Sequence, residues 1–332
     1  MAIINSVQGP ISSSDLGKTL IHEHFLFGYP GYQGDHTLGE YNHEEALQAG
    51  IEAVKKMQAY GIKTVLDPTP NDCGRNPLLL KEISEKTGLQ IICTTGYYCE
   101  EEGSPAYFKW RFHLSDGENQ IYEMFKKEVT EGIGDTGIKA GAIKLASSRD
   151  RITDYEKVFF KAAVRVQKET GIPIITHTQY GTMGPEQAEL LVNEGADPQN
   201  VLIGHMCGNT DIDYHIKTLS YGVNIGFDRF GVQGFPGIPT DNDRIVTLLA
   251  LLDKGYGNRV MLSQDTVNFF LGRKVEWPEY LKKLLANYHP TNIFENILPV
   301  LREKGVEEQL LNQIFTENPQ NFFTAKSSVY QG

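Results

Sequence analysis

His22 and His24 stand one residue apart, with Glu23 between them, near the end of an apolar run, TLIHEHF over 19–25. An extended strand has a side-chain period of two, so the two imidazoles share one face and Glu23 takes the other. The histidines are candidate metal ligands, and Glu23 is expected to be an outward-facing residue with a structural role. Further apolar runs end on polar groups in the same way: Asp67, Tyr97 and Tyr98, Lys144, His177, His205, Asp228 with Arg229, and Asp265. A strand buried on both faces should not carry such groups, because each costs on the order of several kcal/mol unless it is paired or metal-bound.

Taken together, these side chains suit a metal centre. His22, His24, His177, His205 and Asp265 offer four imidazoles and one carboxylate. That donor set fits zinc, iron, manganese or cobalt better than calcium or magnesium, which prefer oxygen cages. Lys144 is the odd member, since a dication repels an ammonium. It must be neutral, displaced, or converted by CO₂ into a carbamate whose two oxygens can bridge two metals. The remaining histidines, His36, His43, His113, His215 and His289, fall outside the strand ends and are expected to be solvated or to support the ligands. Cys73, Cys93, Cys99 and Cys207 lack Cys-x-x-Cys spacing and are expected to be free thiols.

The elements that must position these groups recur regularly. Eight β-rich runs, 19–25, 64–69, 91–98, 140–146, 173–178, 201–206, 223–229 and 260–265, are nearly continuous in apolar residues, as parallel strands covered on both faces are. Segments of helical period lie between them, for instance 44–61, 154–171 and 241–257, each closing on a glycine. Strand and helix alternate without a Pro/Gly/Ser linker. This predicts one (β/α)₈ TIM barrel over 1–332, with a doubly wound open sheet as the alternative. In a barrel the polar strand ends gather at the C-terminal rim. The aromatic stretch TVNFFLGRKVEWPEY, 266–280, would project over that rim, with Phe269, Phe270 and Trp277 either lining a pocket or packing against the barrel or a second subunit.

Composition narrows the partners. Thirty-one Lys and Arg against 42 Asp and Glu give a net charge of −11 without a long basic run, which argues against nucleic acid and anionic membrane surfaces. A small neutral substrate fits better. No apolar run approaches a membrane span and no signal peptide is evident, so a cytoplasmic location is expected.

The pattern of HxH on strand one, Lys on four, His on five, His on six and Asp on eight resembles the binuclear centre of the amidohydrolase superfamily. TLIHEHF, VLDPT, GAIKLA, PIITHT, VLIGHM and FTENPQNFF are similar, from about residue 7 to residue 324, to the phosphotriesterase-related proteins. Asp228-Arg229 in GFDRFG and Tyr98 in TTGYY match the phosphotriesterase-like lactonases rather than phosphotriesterases proper, which carry Asp-His at strand seven.

The resemblance implies two divalent transition metals, zinc foremost. His22, His24 and Asp265 would hold the more buried one, His177 and His205 the more exposed one, and Lys144, carboxylated by CO₂, would bridge them. It implies opening of lactone rings by a hydroxide shared between the metals, with N-acyl-homoserine lactones and other γ- and δ-lactones as substrates and weaker organophosphate hydrolysis. Asp265 would shuttle the proton, Tyr98 would orient the substrate, and Arg229, Phe27 and Phe270 would line its site. Arg229 is expected to fix the rim loops or to pair with a rim carboxylate. A homodimer is implied as well. Ser263-Gln264-Asp265 departs from the Ser-His-Asp of many such lactonases, and Gln264 is expected to face away from the barrel interior. The rival readings are a phosphotriesterase proper, a hydrolase of phosphorylated sugar lactones, and a catalytically silent metal-binding scaffold.

Overall fold

The computed structural model describes residues 2–324. A short antiparallel hairpin, β1 (Ile3–Ser6) and β2 (Gly9–Ser12), precedes eight parallel strands. These are β3 (Thr19–Leu20), β4 (Thr64–Asp67), β5 (Gln90–Gly96), β6 (Ala142–Ser147), β7 (Ile174–Thr178), β8 (Val201–Ile203), β9 (Asn224–Phe227) and β10 (Val260–Leu262). They pair in chain order from β3 to β10. With helices between them, they form the expected (β/α)₈ TIM barrel.

The helices start where local chemistry satisfies their free N–H groups. Asn42 caps His43–Ala59 by accepting from the Glu45 N–H, while Thr153 and Thr240 form reciprocal capping boxes with Glu156 and Asp243. The third expected helix stops at Asp253, short of 257, because Gly255 turns left-handed (φ 86°) and starts a 3₁₀ turn.

Alternation along the strands separates two apolar layers. Leu66, Ile92, Ala142, Ile175, Leu202 and Met261 fill the inside of the barrel, where Ile4 of the hairpin, Phe322 and Phe323 join them. Their strand neighbours Val65, Ile91, Ile143, Ile174, Val201 and Val260 pack outward against the helices. The period of two then carries Lys144 and His177 to the inner face, one step beyond Ala142 and Ile175.

The barrel seam does not follow simple strand pairing. β3 ends at Leu20, before His22, and the chain beyond it joins the segment after β10 through single bridges at His24–Val267 and Phe27–Phe270. The backbone bonds across this join include Asp265 N–H to His22 C=O (3.0 Å) and His24 N–H to Thr266 C=O (2.8 Å). Glu23 completes the join. Its buried carboxylate accepts from the Ser263 hydroxyl (2.7 Å), the Gln264 N–H (2.9 Å), the Thr266 N–H (3.0 Å) and the Thr266 hydroxyl. Gln264 points away from the interior, donating to Pro290 C=O (2.8 Å) and accepting from the Ile293 N–H (2.9 Å).

Replacing Glu23 with alanine would leave buried donors at the seam without an acceptor. At roughly 1–3 kcal/mol for each orphaned group, a loss of about 3 kcal/mol or more is expected, read as a lower urea midpoint. An unchanged midpoint would contradict the seam role.

Candidate metal centre

Each candidate ligand is buried at the C-terminal end of the barrel: His22, His24, Lys144, His177 and His205 are at most 5% exposed and Asp265 8%. The Asp265 carboxylate lies at the middle. Its Oδ1 is 3.1 Å from His24 Nε2 and 3.4 Å from His22 Nε2, and its Oδ2 is 3.7 Å from His205 Nε2. Lys144 Nζ is 3.3 Å from His22 Nε2, and the rings of His177 and His205 meet edge to face at 4.6 Å. Gly96 (φ 148°) permits the close approach of β5 to β6, since a Cβ there would fall 1.8 Å from the Lys144 carbonyl oxygen.

The far nitrogen of every ring is engaged. Asp228, fully buried, accepts from His22 Nδ1 (2.9 Å) and His205 Nδ1 (3.0 Å), and also from the His205 N–H (2.7 Å). His24 Nδ1 meets the Thr69 hydroxyl at 2.7 Å, and His177 Nε2 meets Gln179 Oε1 at 2.6 Å. This leaves Nε2 of His22, His24 and His205, and Nδ1 of His177, for a ligand, the arrangement that metal-binding histidines require.

Two groupings have donor atoms close enough to hold an ion, His22–His24–Asp265 and His22–His205–Asp228. Asp228 already uses both oxygens on ring and backbone N–H groups, so it orients ligands rather than serving as one. Its asparagine variant would fix only one of the two tautomers. Metal affinity is expected to fall about 10- to 100-fold, measured by chelator competition. Unchanged affinity would remove Asp228 from this role.

The electrostatics suit a cation. Burial, then the nearby Lys144 charge, lowers His22 to about 4, and burial with Arg229 holds His177 and His205 well below the usual imidazole value. These three rings are neutral at neutral pH, the form that ligates. Burial opposes charge on His24 too, yet the carboxylates of Asp265 at 3.1 Å and Asp67 at 3.7 Å lift it to about 9. The carboxylates thus call for positive charge where Nε2 lies. Burial also works against the Asp265 anion, but His205, His22 and Arg229 keep it well below the usual carboxylate range. The donor set fits one or two transition-metal dications.

His205 (φ 57°) and Asp265 (φ 54°) are left-handed non-glycine residues, a strain of roughly 1–3 kcal/mol each that clusters at functional sites. The Asp228 carboxylate holds the first through its N–H. The Tyr288 hydroxyl, which donates to the Asp265 carbonyl (2.8 Å), holds the second.

A pocket of about 200 Å³ opens above these groups. Tyr98, Arg229, Phe27 and Phe270 line it as expected, and Trp277 joins Phe270 at a ring distance of 6.0 Å. Phe269 instead packs on the hydrophobic core, within 6.4 Å of Tyr41. Tyr97 turns away from the pocket, packing on Phe108 and Phe159. Arg229 finds its carboxylate in Asp265 itself (Nε–Oδ2 2.8 Å) rather than in a rim residue. His215 is a correction to the expected solvation: it is fully buried, stacked on Phe227 and bonded to Asn209 C=O (2.9 Å), away from the site. The four cysteines are free and buried. Among the described residues, no helix is long and apolar enough to cross a membrane.

Sequence reasoning did not foresee the supporting roles of Asp228, Thr69 and Gln179, or Tyr29, Val232, Phe235, Leu285 and Tyr288 in the pocket wall. Asp228 and Thr69 carried a signal, as polar residues at the ends of expected strand runs; the others lie in turns and loops.

Residues 2–323 match the phosphotriesterase family. The chain is 37% identical over 320 residues to an aryldialkylphosphatase of Saccharolobus solfataricus, across 95% of this chain and 97% of that protein. It superposes on the organophosphorus hydrolase of Deinococcus radiodurans with a TM-score of 0.95 and 54% identity, covering 97% of this chain and 96% of that one. A solved structure from the engineering of organophosphate hydrolysis on a weak promiscuous lactonase template matches at TM-score 0.96 and 52% identity, over 97% of this chain and 100% of that one. Family match, near-complete coverage and a shared barrel agree: the chain belongs to the phosphotriesterase family.

Proposed function

We propose that this hydrolase opens lactone rings, N-acyl-homoserine lactones and other γ- and δ-lactones foremost, with weaker activity on organophosphate triesters. Enzymes of the family depend on a binuclear metal centre. His22, His24 and Asp265 would hold one metal, His177 and His205 the other, and carboxylated Lys144 would bridge them. When bound, the metals supply a water-derived nucleophile at neutral pH and polarise the substrate carbonyl.

The chain's own residues do the rest. Burial holds the Tyr98 phenol well above its usual range, so it stays a hydrogen-bond donor that can orient the ring ester. Asp265 accepts the proton released on attack and returns it to the leaving alkoxide. Arg229 fixes the orientation of that carboxylate by its bond to Oδ2. Phe27, Phe270, Trp277, Val232, Phe235 and Leu285 shield the reacting carbonyl from water and favour an apolar substituent.

One observation carries the reading: the buried imidazole, carboxylate and lysine cluster forms the floor of a pocket whose walls are apolar and aromatic. Among the described residues, its only lysine or arginine members are Lys144 and Arg229, whose charges both act on Asp265, so these walls offer no further cation for a phosphorylated sugar lactone. The test is a pH-indicator screen of metal-loaded protein against acyl-homoserine lactones, simple γ- and δ-lactones, phosphorylated sugar lactones and paraoxon. Acyl-homoserine or simple lactones should give the highest kcat/KM. Paraoxon or a phosphorylated lactone ranking first would contradict the proposal.

A further inference from the structure

Resting on that metal-centre reading, we propose that Gln179 and Glu102 act as one positioning pair that fixes the tautomer of His177 and makes the metal on the His177 side the more readily lost of the two. The chain of bonds is continuous. His177 Nε2 lies 2.6 Å from Gln179 Oε1, and Gln179 Nε2 donates to Glu102 Oε1 at 2.9 Å. A carboxylate only accepts, so Glu102 makes the amide present its NH₂ group to the rim and its oxygen to the ring. An amide oxygen also only accepts, so His177 carries its proton on Nε2 and keeps the Nδ1 lone pair for a ligand.

The other imidazoles are supported differently. His22 and His205 share the Asp228 carboxylate directly, and His24 has the Thr69 hydroxyl with Asp67 behind it at 3.7 Å. An outer carboxylate raises ligand basicity. At His177 that carboxylate is one amide removed and lies on an exposed residue, while Gln179 itself is buried. His177 is therefore the least supported donor of the four.

The pair is also tied to the substrate side. Glu102 rides on the same loop as Tyr98, and Asp72 holds that loop by accepting from the N–H groups of Tyr98 (3.1 Å) and Ser104 (3.2 Å). The Tyr98 ring packs edge-on against His177 at 5.0 Å. One loop thus orients both the substrate-facing phenol and the ligand behind it.

Zinc titration against a competing chelator, with ¹⁵N NMR of the histidine side chains in metal-free protein, tests this. Metal-free wild type should show His177 protonated on Nε2; an Nδ1–H signal would overturn the pair. Gln179→Leu should weaken the looser of two zinc equivalents about tenfold and leave the tighter one unchanged. The double variant Gln179→Glu with Glu102→Gln keeps the charge count and sets the carboxylate directly on His177, so it should tighten the looser equivalent by about as much. That gain cannot come from damage to the fold, and it decides the case if Gln179→Leu does not fold. If neither variant moves the looser equivalent, or only the tighter one shifts, the proposal fails. Wild type that binds fewer than two zinc ions would instead overturn the binuclear reading, while the NMR result still judges the tautomer.

Discussion

Replacing Asp265 with asparagine should reduce kcat/KM for a lactone about a thousandfold while leaving the barrel folded. General acid–base groups contribute roughly 10²- to 10⁴-fold, and the lower end of that range already corresponds to nearly 3 kcal/mol of barrier. The variant removes more than a proton acceptor. Three ring nitrogens, those of His22, His24 and His205, face this carboxylate within 3.7 Å, and Arg229 Nε reaches it at 2.8 Å. Asparagine fills nearly the same space and can still accept from Arg229, so the circular dichroism spectrum should be retained. Its neutral amide cannot take the proton. Near wild-type turnover with full metal content would refute the role given to Asp265.

The second large effect concerns Lys144. Burial, offset in part by Asp265 and Asp228, lowers its amine to about 8 from the ordinary lysine value. Only a neutral amine adds CO₂: the nitrogen lone pair attacks carbon, a proton leaves, and a carbamate remains. Half of the Lys144 amine is neutral near pH 8, and that fraction falls about tenfold for each pH unit well below it. Protein stripped of metal in CO₂-depleted buffer should regain little activity with zinc alone. Bicarbonate with zinc should restore it at least about tenfold, faster at pH 8 than at pH 6, with a carbamate signal from ¹³C-bicarbonate. Recovery independent of bicarbonate at every metal concentration would remove the carbamate from the account.

The ligand positions were legible because they break a pattern. Polar residues such as Lys144 and His177 interrupt runs that are otherwise apolar, and the two-residue period places them on one face. The same period put Glu23 and Gln264 on the outer side, where the structure has them at the seam. It could not describe His205 and Asp265, whose left-handed backbones lie beyond the ends of β8 and β10. Their side chains reach the site through a turn rather than by alternation. The same alternation does separate the adjacent Tyr97 and Tyr98: Tyr98, in step with the inward Ile92, enters the pocket, while Tyr97 packs on Phe108 and Phe159. Gln179 and residues 230–240 lie between the expected strands and helices, and Thr69 lies beyond the observed end of β4 at Asp67, so their places depend on tertiary contacts. His215 misled for a related reason: its helix is short, and burial against Phe227 comes from packing between helix and barrel.

The most direct test of the central claim is anomalous diffraction from crystals of zinc-loaded protein. Two zinc peaks about 3.5–4 Å apart are expected, the usual spacing of two-metal sites. One should lie among His22, His24 and Asp265 and the other beside His177 and His205, with extra density on Lys144 between them. A single peak held by His22, His205 and Asp228, or no peak among these residues, would contradict it.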